Sequence, residues 1–262
     1  MWLSDFWKMP NVKERCKYFS NTTYAFEIWN LKFVWKFVWK LLVGAWNLKI
    51  CMHFHIVTLF PEAFSSYLAT SILKRAAARG KIKIHFYNPR DFTGDLHKRV
   101  DRRPYGGGPG MVLQAEPILR AVRRAVGKKR GVKICILSPR GGLFDNARAR
   151  ILARRYRHII FIAGHYEGID ARVKKALHAE ELSIGPYVLT GGELPAMAII
   201  DAVARQLPGV LGKDESREEL RIASGEVYTR PESFSWSGKT YRVPAVLRCG
   251  DHKKIEAWKR TR

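Results

Sequence analysis

Three stretches of this chain combine residue types that suit holding a ligand and acting on it, and the richest is Ser183–Arg205, SIGPYVLTGGELPAMAIIDAVAR. Gly191 and Gly192 permit positive φ and leave no Cβ between the backbone and an approaching molecule. Pro195 stands where a first helical turn tolerates it. Beyond it Ala196, Ile199, Ile200, Val203 and Leu207 recur at helical spacing, so one face packs inward, while Asp201 and Arg205 share the outer face. Read alone, this is a short apolar strand, a turn, and a helix with a surface ion pair worth roughly a few tenths of a kcal/mol. The other two stretches are Leu137–Gly142 (LSPRGG) and Ala163–Asp170 (AGHYEGID), each following a β-branched, apolar run. Strand ends furnished with glycine, proline and a carboxylate make a pocket, because open α/β sheets bind ligands beyond the carboxyl ends of their strands.

Positioning those turns requires a regular scaffold, and the pattern becomes regular from His53. Phe54–Leu59 reads as a strand, Pro61 opens a helix running to Arg79, Gly80 ends it as a C′ glycine, and Lys81–Tyr87 returns as a strand. Asn88–Gly110 is rich in Gly, Pro, Asp and Arg and long for a loop, the kind of segment that in compact domains is functional or disordered. Helix, strand, helix, strand and helix follow at about Ala115–Val126, Val132–Leu137, Asp145–Tyr156, Ile159–Ala163 and Ile169–His178. This alternation predicts an α/β fold with a mostly parallel sheet covered by helices on both faces. Residues 211–226 are charged and read as a linker, and 227–262 form a short basic tail with a terminal helix from Asp251.

Charge narrows the partners. Lys plus Arg outnumber Asp plus Glu by 47 to 23, a net charge of +24, and such an excess favours polyanions because neutralised phosphates release counterions. The cysteines Cys16, Cys51, Cys135 and Cys249 show no paired spacing, which argues against a disulfide framework or zinc knuckle and for a reducing, cytoplasmic setting. His53 and His55 share one face of a strand, but no third or fourth ligand accompanies them in the sequence, so they read as strand residues and no metal site is expected. The absence of a P-loop or a G-x-G-x-x-G turn after a strand disfavours kinase, ATPase and dehydrogenase chemistry. Residues 1–51 differ in kind: they hold six of the 8 tryptophans, and Phe-Val-Trp-Lys occurs twice in tandem at Phe33–Lys40. As a helix, Lys32, Lys36 and Lys40 would form a stripe beside Phe33, Val34, Phe37 and Leu41, an interfacial pattern. Its apolar runs, such as Leu41–Leu48, fall far short of the roughly 20 residues a span needs, so no stable membrane association is expected, and the segment reads as an atypical extension without a role in the chemistry.

Taken with PYGGGPGM at Pro104–Met111, the three strand-end stretches closely resemble the bacterial tRNA (guanine-N1)-methyltransferases, the TrmD family of knotted SPOUT methyltransferases, from Met52 to about Trp258. The resemblance implies a cofactor-binding domain over 52–210 whose loops at Ser138, Gly164 and Ser183–Gly192 thread into a deep trefoil knot, a topology no generic rule would propose. A linker over 211–226 and a small, mainly helical C-terminal domain over 227–262 follow. The resemblance implies S-adenosylmethionine bent within the knot, touched by Leu137, Ser138, Pro139, Gly164, Glu167, Ile184, Gly185, Pro186, Tyr187, Val188, Leu189, Gly191, Gly192 and Pro195. It also implies a homodimer with active sites between subunits, and methyl transfer to N1 of guanosine 37, just 3′ of the anticodon of tRNA.

Guanine N1 carries a proton at neutral pH, so a base must remove it within reach, and charge developing on O6 calls for a cation. In the family an arginine and an aspartate fill these roles. The arginine matches Arg205. The aspartate's position is occupied by Leu220, which cannot be a base, and the adjacent Glu219 is the expected substitute. His165 and Pro186 likewise stand where an arginine and an aspartate are expected. His97, Asp101 and the Tyr105, Gly106, Gly107 and Gly108 loop match positions that seat the guanine, and Tyr228, Arg230 and Trp258 would meet the anticodon stem-loop. Two other readings stay open: a catalytically impaired RNA-binding protein on the same scaffold, and a related RNA methyltransferase with a different target base.

Overall fold

The computed structural model describes residues 51–211 and 226–260. Strand β1 (Met52–Val57) leads into a 3-10 turn (Pro61–Phe64), then helices α1 (Ser65–Leu68) and α2 (Ser71–Ala78). The single helix expected from Pro61 to Arg79 is therefore broken. The Thr70 hydroxyl donates to the Tyr67 carbonyl at 2.8 Å, Ser71 takes a φ of 46°, and hydroxyl-to-backbone bonding of this kind competes with a continuing helix. Gly80 does end α2 at a φ of +66°.

Strand β2 (Ile82–Tyr87) follows, and the long loop after it contains a 3-10 turn (Pro89–Phe92) and β3 (Asp101–Arg102), which pairs antiparallel with β4 (Val112–Leu113). Helix α3 (Ala115–Val126), β5 (Val132–Leu143), α4 (Asn146–Arg155), β6 (His158–Ala163), α5 (Ala171–Leu177), β7 (Glu180–Ser183) and α6 (Glu193–Arg205) complete the first region. Asp145 and Asp170 cap α4 and α5, accepting from the backbone N–H of Arg148 and Arg172 at 2.7 and 2.9 Å.

Strands β1, β2, β5, β6 and β7 form one parallel sheet in the order β2-β1-β6-β5-β7. Phe54, Phe161, Leu152, Ile199 and Val203 are packed into one core cluster, and Ile160, Ile162, Ile118, Val122 and Val173 into another, so helices cover both faces. Burial on both faces is why β6 reads HIIFIA, almost continuously apolar, without the alternation of a half-exposed strand. The expected α/β class and parallel sheet are present.

The C-terminal segment departs from the mainly helical expectation. It begins with an antiparallel hairpin, β8 (Ser233–Trp236) and β9 (Lys239–Arg242), before a 3-10 turn (Ala245–Arg248) and α7 (His252–Arg260). Ser237-Gly238 make the two-residue turn, both at positive φ (49° and 75°), the geometry that closes tight hairpins.

Candidate functional site

The carboxyl end of the sheet is built by three loops, the first seated on β7 and the other two joined to each other. Leu137 and Gly142 of β5 both align with Leu182 of β7, so Ser138–Gly141 bulge out of the strand. Gly141 lies so close to β7 that a Cβ there would sit 2.6 Å from the Leu182 backbone, and only glycine fits. Strand β5 therefore runs past the point where Leu137 was expected to end it. Conversely, the apolar run Ile184–Leu189 is not a strand: β7 stops at Ser183, and the chain then bends, with the Ser183 hydroxyl donating to the Gly185 carbonyl at 2.9 Å and accepting from the Gly185 N–H. The Tyr187 ring lies over Gly185, while Pro186, Val188 and Leu189 are exposed.

The second and third loops are joined directly. Gly192 N–H donates to Gly164 O at 2.8 Å, and Gly191 bridges His165 in antiparallel fashion. A Cβ on Gly192 would lie 2.6 Å from the Ala163 Cα, so the turn entering α6 seats on the end of β6. Beneath it Thr58, fully buried, donates to the Glu193 carboxylate at 2.8 Å. That buried carboxylate in the first turn of α6, where the helix dipole favours negative charge, is a positioning feature the sequence reading missed; the only signal was Glu193 directly after Gly-Gly. The His165 ring packs 4.9 Å from Phe60 and edge-on to Tyr166, and its buried Nδ1 has no hydrogen-bond partner among the described residues.

The glycine-rich loop reaches the same place. Glu167 N–H donates to Met111 O at 3.0 Å, Leu113 N–H to Gly168 O, and Asp170 N–H to Leu113 O. Gly106, Gly107, Gly108 and Gly110 all have positive φ, from 80° to 113°, and the Glu167 side chain covers Gly110 so closely that a Cβ there would meet its Cγ at 2.6 Å. Tyr105 is fully exposed, and Asp101 is held in β3 opposite Leu113. His97 lies on an exposed turn organised by Asp95, which accepts from the N–H groups of His97 and Arg99 and from the Arg99 guanidinium. Arg99 foremost holds the Asp95 carboxyl down at about 2.

The remaining expected residues lie apart. Arg205 is the last residue of α6, half-buried, and a rise of about 1.5 Å per residue separates it from Glu193 by roughly 18 Å. The carboxylate of its neighbour Asp201 accepts from the Tyr67 hydroxyl at 2.8 Å, which raises the Tyr67 pKa. Glu219 and Leu220 lie outside the described residues. In the C-terminal segment the Tyr228 and Trp258 rings are 6.2 Å apart, and Arg230 is exposed two residues away from Tyr228. The hairpin adds aromatics that the sequence reading did not single out: Phe234 stacks on Tyr241 at 5.4 Å, and Phe234, Trp236 and Tyr241 are all exposed.

At the opposite end of the sheet His53 and His55 are strand residues of β1 as expected, but they do not stand alone. Parallel register sets His85 beside His55 and His158 beside His53, so four of the 8 histidines meet. Burial, then the neighbouring histidines and lysines, pushes His53 down to about 4; for His55, burial followed by His85 and Lys129 gives about 3. Among the described residues no helix is long and apolar enough to cross a membrane.

Comparison with known proteins agrees with this geometry. The family model described as tRNA (Guanine-1)-methyltransferase TrmD matches residues 52–262. A tRNA (guanine-N(1)-)-methyltransferase of Carboxydothermus hydrogenoformans is 49% identical over 80% of this chain and 81% of its own length. One from Moorella thermoacetica is 47% identical over 80% of this chain and 84% of its own. The crystal structure of the tRNA (m1G37) methyltransferase from Aquifex aeolicus aligns with a TM-score of 0.66 at 37% identity, covering 80% of this chain and 88% of that one. With its glycine clasp, its strand-end bulge and a family match spanning the whole of the sheet and the C-terminal segment, the chain belongs to the tRNA (guanine-1)-methyltransferase TrmD family.

Proposed function

We propose that this protein transfers a methyl group from S-adenosylmethionine to N1 of guanosine 37 in tRNA. The observation that carries the reading is the clasp of Gly192 on Gly164, set beside the Ser138–Gly141 bulge and under the glycine-rich loop. Two features support a fit to an adenosyl group. Gly141 and Gly192 let the strand ends pack backbone to backbone, and Gly106, Gly107, Gly108 and Gly168 border open space with no Cβ, so a ligand can approach the main chain there. The buried, unpartnered His165 Nδ1 wants a polar partner there, since a buried group left unpaired costs about 1–3 kcal/mol.

When bound, S-adenosylmethionine supplies an electrophilic methyl group on a sulfonium. Leu137, Ser138, Pro139, Gly164, Glu167, Ile184–Leu189, Gly191, Gly192 and Pro195 would hold it. Glu219 would accept the N1 proton, standing in for the aspartate that Leu220 replaces. Arg205, always charged, would face O6 and stabilise the negative charge that develops as N1 is deprotonated. His97 and Asp101 would seat the guanine beneath the Tyr105–Gly108 loop.

The roughly 18 Å along α6 between the clasp and Arg205 supports a further element of the proposal. Within one chain Arg205 lies a helix length from the clasp, and a homodimer with active sites between subunits would bring the partner's arginine to the cofactor loops. The seating of Gly141 on β7 and the clasp of Gly192 on Gly164 likewise support a trefoil knot. The net charge of +24 suits tRNA, and the exposed Phe234, Trp236 and Tyr241, with Tyr228, Arg230 and Trp258, suit the splayed bases of an anticodon loop. A cytoplasmic location follows from that substrate.

The test is transfer of labelled methyl to unmodified tRNA bearing guanosine at 37, with adenosine-37 tRNA as control. Arg205→Ala is expected to lower transfer by about a hundredfold or more, as loss of a charge-stabilising donor does, while cofactor binding persists. Loss with Glu219→Ala, too, would support Glu219 as the base. No label despite cofactor and tRNA binding would instead make this an RNA-binding protein on a methyltransferase scaffold.

A further inference from the structure

The starts of the strands, at the end of the sheet remote from the glycine loops, carry a second constellation of chemistry-bearing side chains. His53 and His55 alternate on one face of β1, as a two-residue strand period requires. Register then brings His85 from β2 and His158 from β6 to either side. His55 Nε2 lies 3.2 Å from His158 Nδ1, and His53 Nδ1 lies 3.2 Å from His85 Nε2. One ring nitrogen from each of His53, His55 and His158 falls within 4.8 Å of the others. His55 is 1% exposed, and the other three imidazoles are half-buried.

We propose that His53, His55 and His158 form a binding site for a borderline transition-metal ion, Zn2+ foremost, with His85 as the adjoining fourth imidazole. A tetrahedral zinc ion bonded at about 2.0–2.1 Å holds its nitrogen ligands roughly 3.4 Å apart, so the rings need to move by only a few tenths of an ångström to about an ångström. An all-imidazole donor set selects Zn2+, Ni2+, Co2+ or Cu2+ over Mg2+ and Ca2+, which take oxygen ligands. The outer shell is also in place. The Tyr87 hydroxyl sits 3.2 Å from His55 Nδ1, so with Nε2 on the ion the Nδ1–H would donate to Tyr87 and fix the ring.

Opposing charge is the chief cost. Lys83, Lys129 and Arg157 face the cluster, and none of its ligands is a carboxylate. The ion must therefore bind through coordination alone, which favours the strongest imidazole binders and a structural role. Such a site would tie β2, β1 and β6 together across residues more than a hundred positions apart in sequence, away from the cofactor loops.

The experiment uses the full chain, stripped with a chelator and titrated with Co2+ and with Zn2+ in separate arms. The parent is expected to take up about one ion with tetrahedral cobalt absorption, and Zn2+ is expected to raise its melting temperature. His53→Gln and His158→Gln should each weaken Zn2+ binding by about tenfold or more and abolish the melting shift, and exposed His252→Gln should match the parent. Methyl transfer should be unchanged in His158→Gln. The cobalt spectrum of the parent needs no variant, so misfolding of a histidine variant does not decide the matter. Absence of uptake, or uptake equal in the parent and in folded His53→Gln and His158→Gln, overturns the proposal and leaves a hydrogen-bonded imidazole stack.

Discussion

Gly192 shows how little freedom a closely packed turn leaves to its residues. Its φ of −83° is ordinary, so conformation does not demand glycine; space does, because a Cβ would stand 2.6 Å from the Ala163 Cα and 2.9 Å from the Gly164 nitrogen. Neither backbone atom can yield without opening the hydrogen bond from Gly192 to Gly164. Gly192→Ala is therefore expected to weaken S-adenosylmethionine binding by about tenfold or more, since core overpacking costs about 1–3 kcal/mol and falls on the site itself. Isothermal titration with the cofactor checks this, and unaltered affinity would mean the clasp is not where the ligand sits. The glycine pair was legible in the sequence as a place for close approach. That it closes on Gly164, nearly thirty residues away, was not, because the pairing is between two turns and leaves no periodic trace.

At the scale of elements, α6 is the organising piece. It starts at the clasp, buries Ala196, Ile199, Ile200 and Val203 against the sheet, and ends at Arg205. Its entry is pinned by Thr58, which follows β1 and whose hydroxyl both donates to Glu193 and accepts from Phe60 N–H at 3.0 Å. Thr58→Val removes the donor while keeping the shape, leaving a buried carboxylate short of a partner. The expected cost is about 1–3 kcal/mol, read as a lowered denaturation midpoint with unchanged slope, and wild-type stability would show that the pin contributes nothing. Helical spacing disclosed the inward face of α6, and the whole of α3 was read to its ends. The broken helix before β2 and the bend after Ser183 were missed for a common reason: side-chain hydroxyls of Thr70 and Ser183 bond locally to backbone and redirect a chain whose apolar pattern would have let it continue.

The whole molecule adds long-range charge and assembly. A net charge of +24 predicts that tRNA affinity falls steeply with salt, by at least about tenfold between 50 and 200 mM, as released counterions lose their advantage. Filter binding across that range measures it, and a flat response would mean that aromatic stacking rather than phosphate contact dominates. Stacking has a surface available in the hairpin, where Phe234, Trp236 and Tyr241 remain exposed.

By itself the sequence determined the α/β class, the parallel sheet, the glycine- and proline-rich strand ends and the basic character, because each rests on composition or on short-range periodicity that burial on a sheet enforces. The resemblance of its motifs added the family. Only the tertiary structure decided which loops clasp, that Arg205 stands a helix length from them, and that His53 and His55 are joined by His85 and His158. The histidine cluster depends on the register between strands distant in sequence. Hydrogen bonds of the parallel ladder set that register, and no local pattern of residues records it.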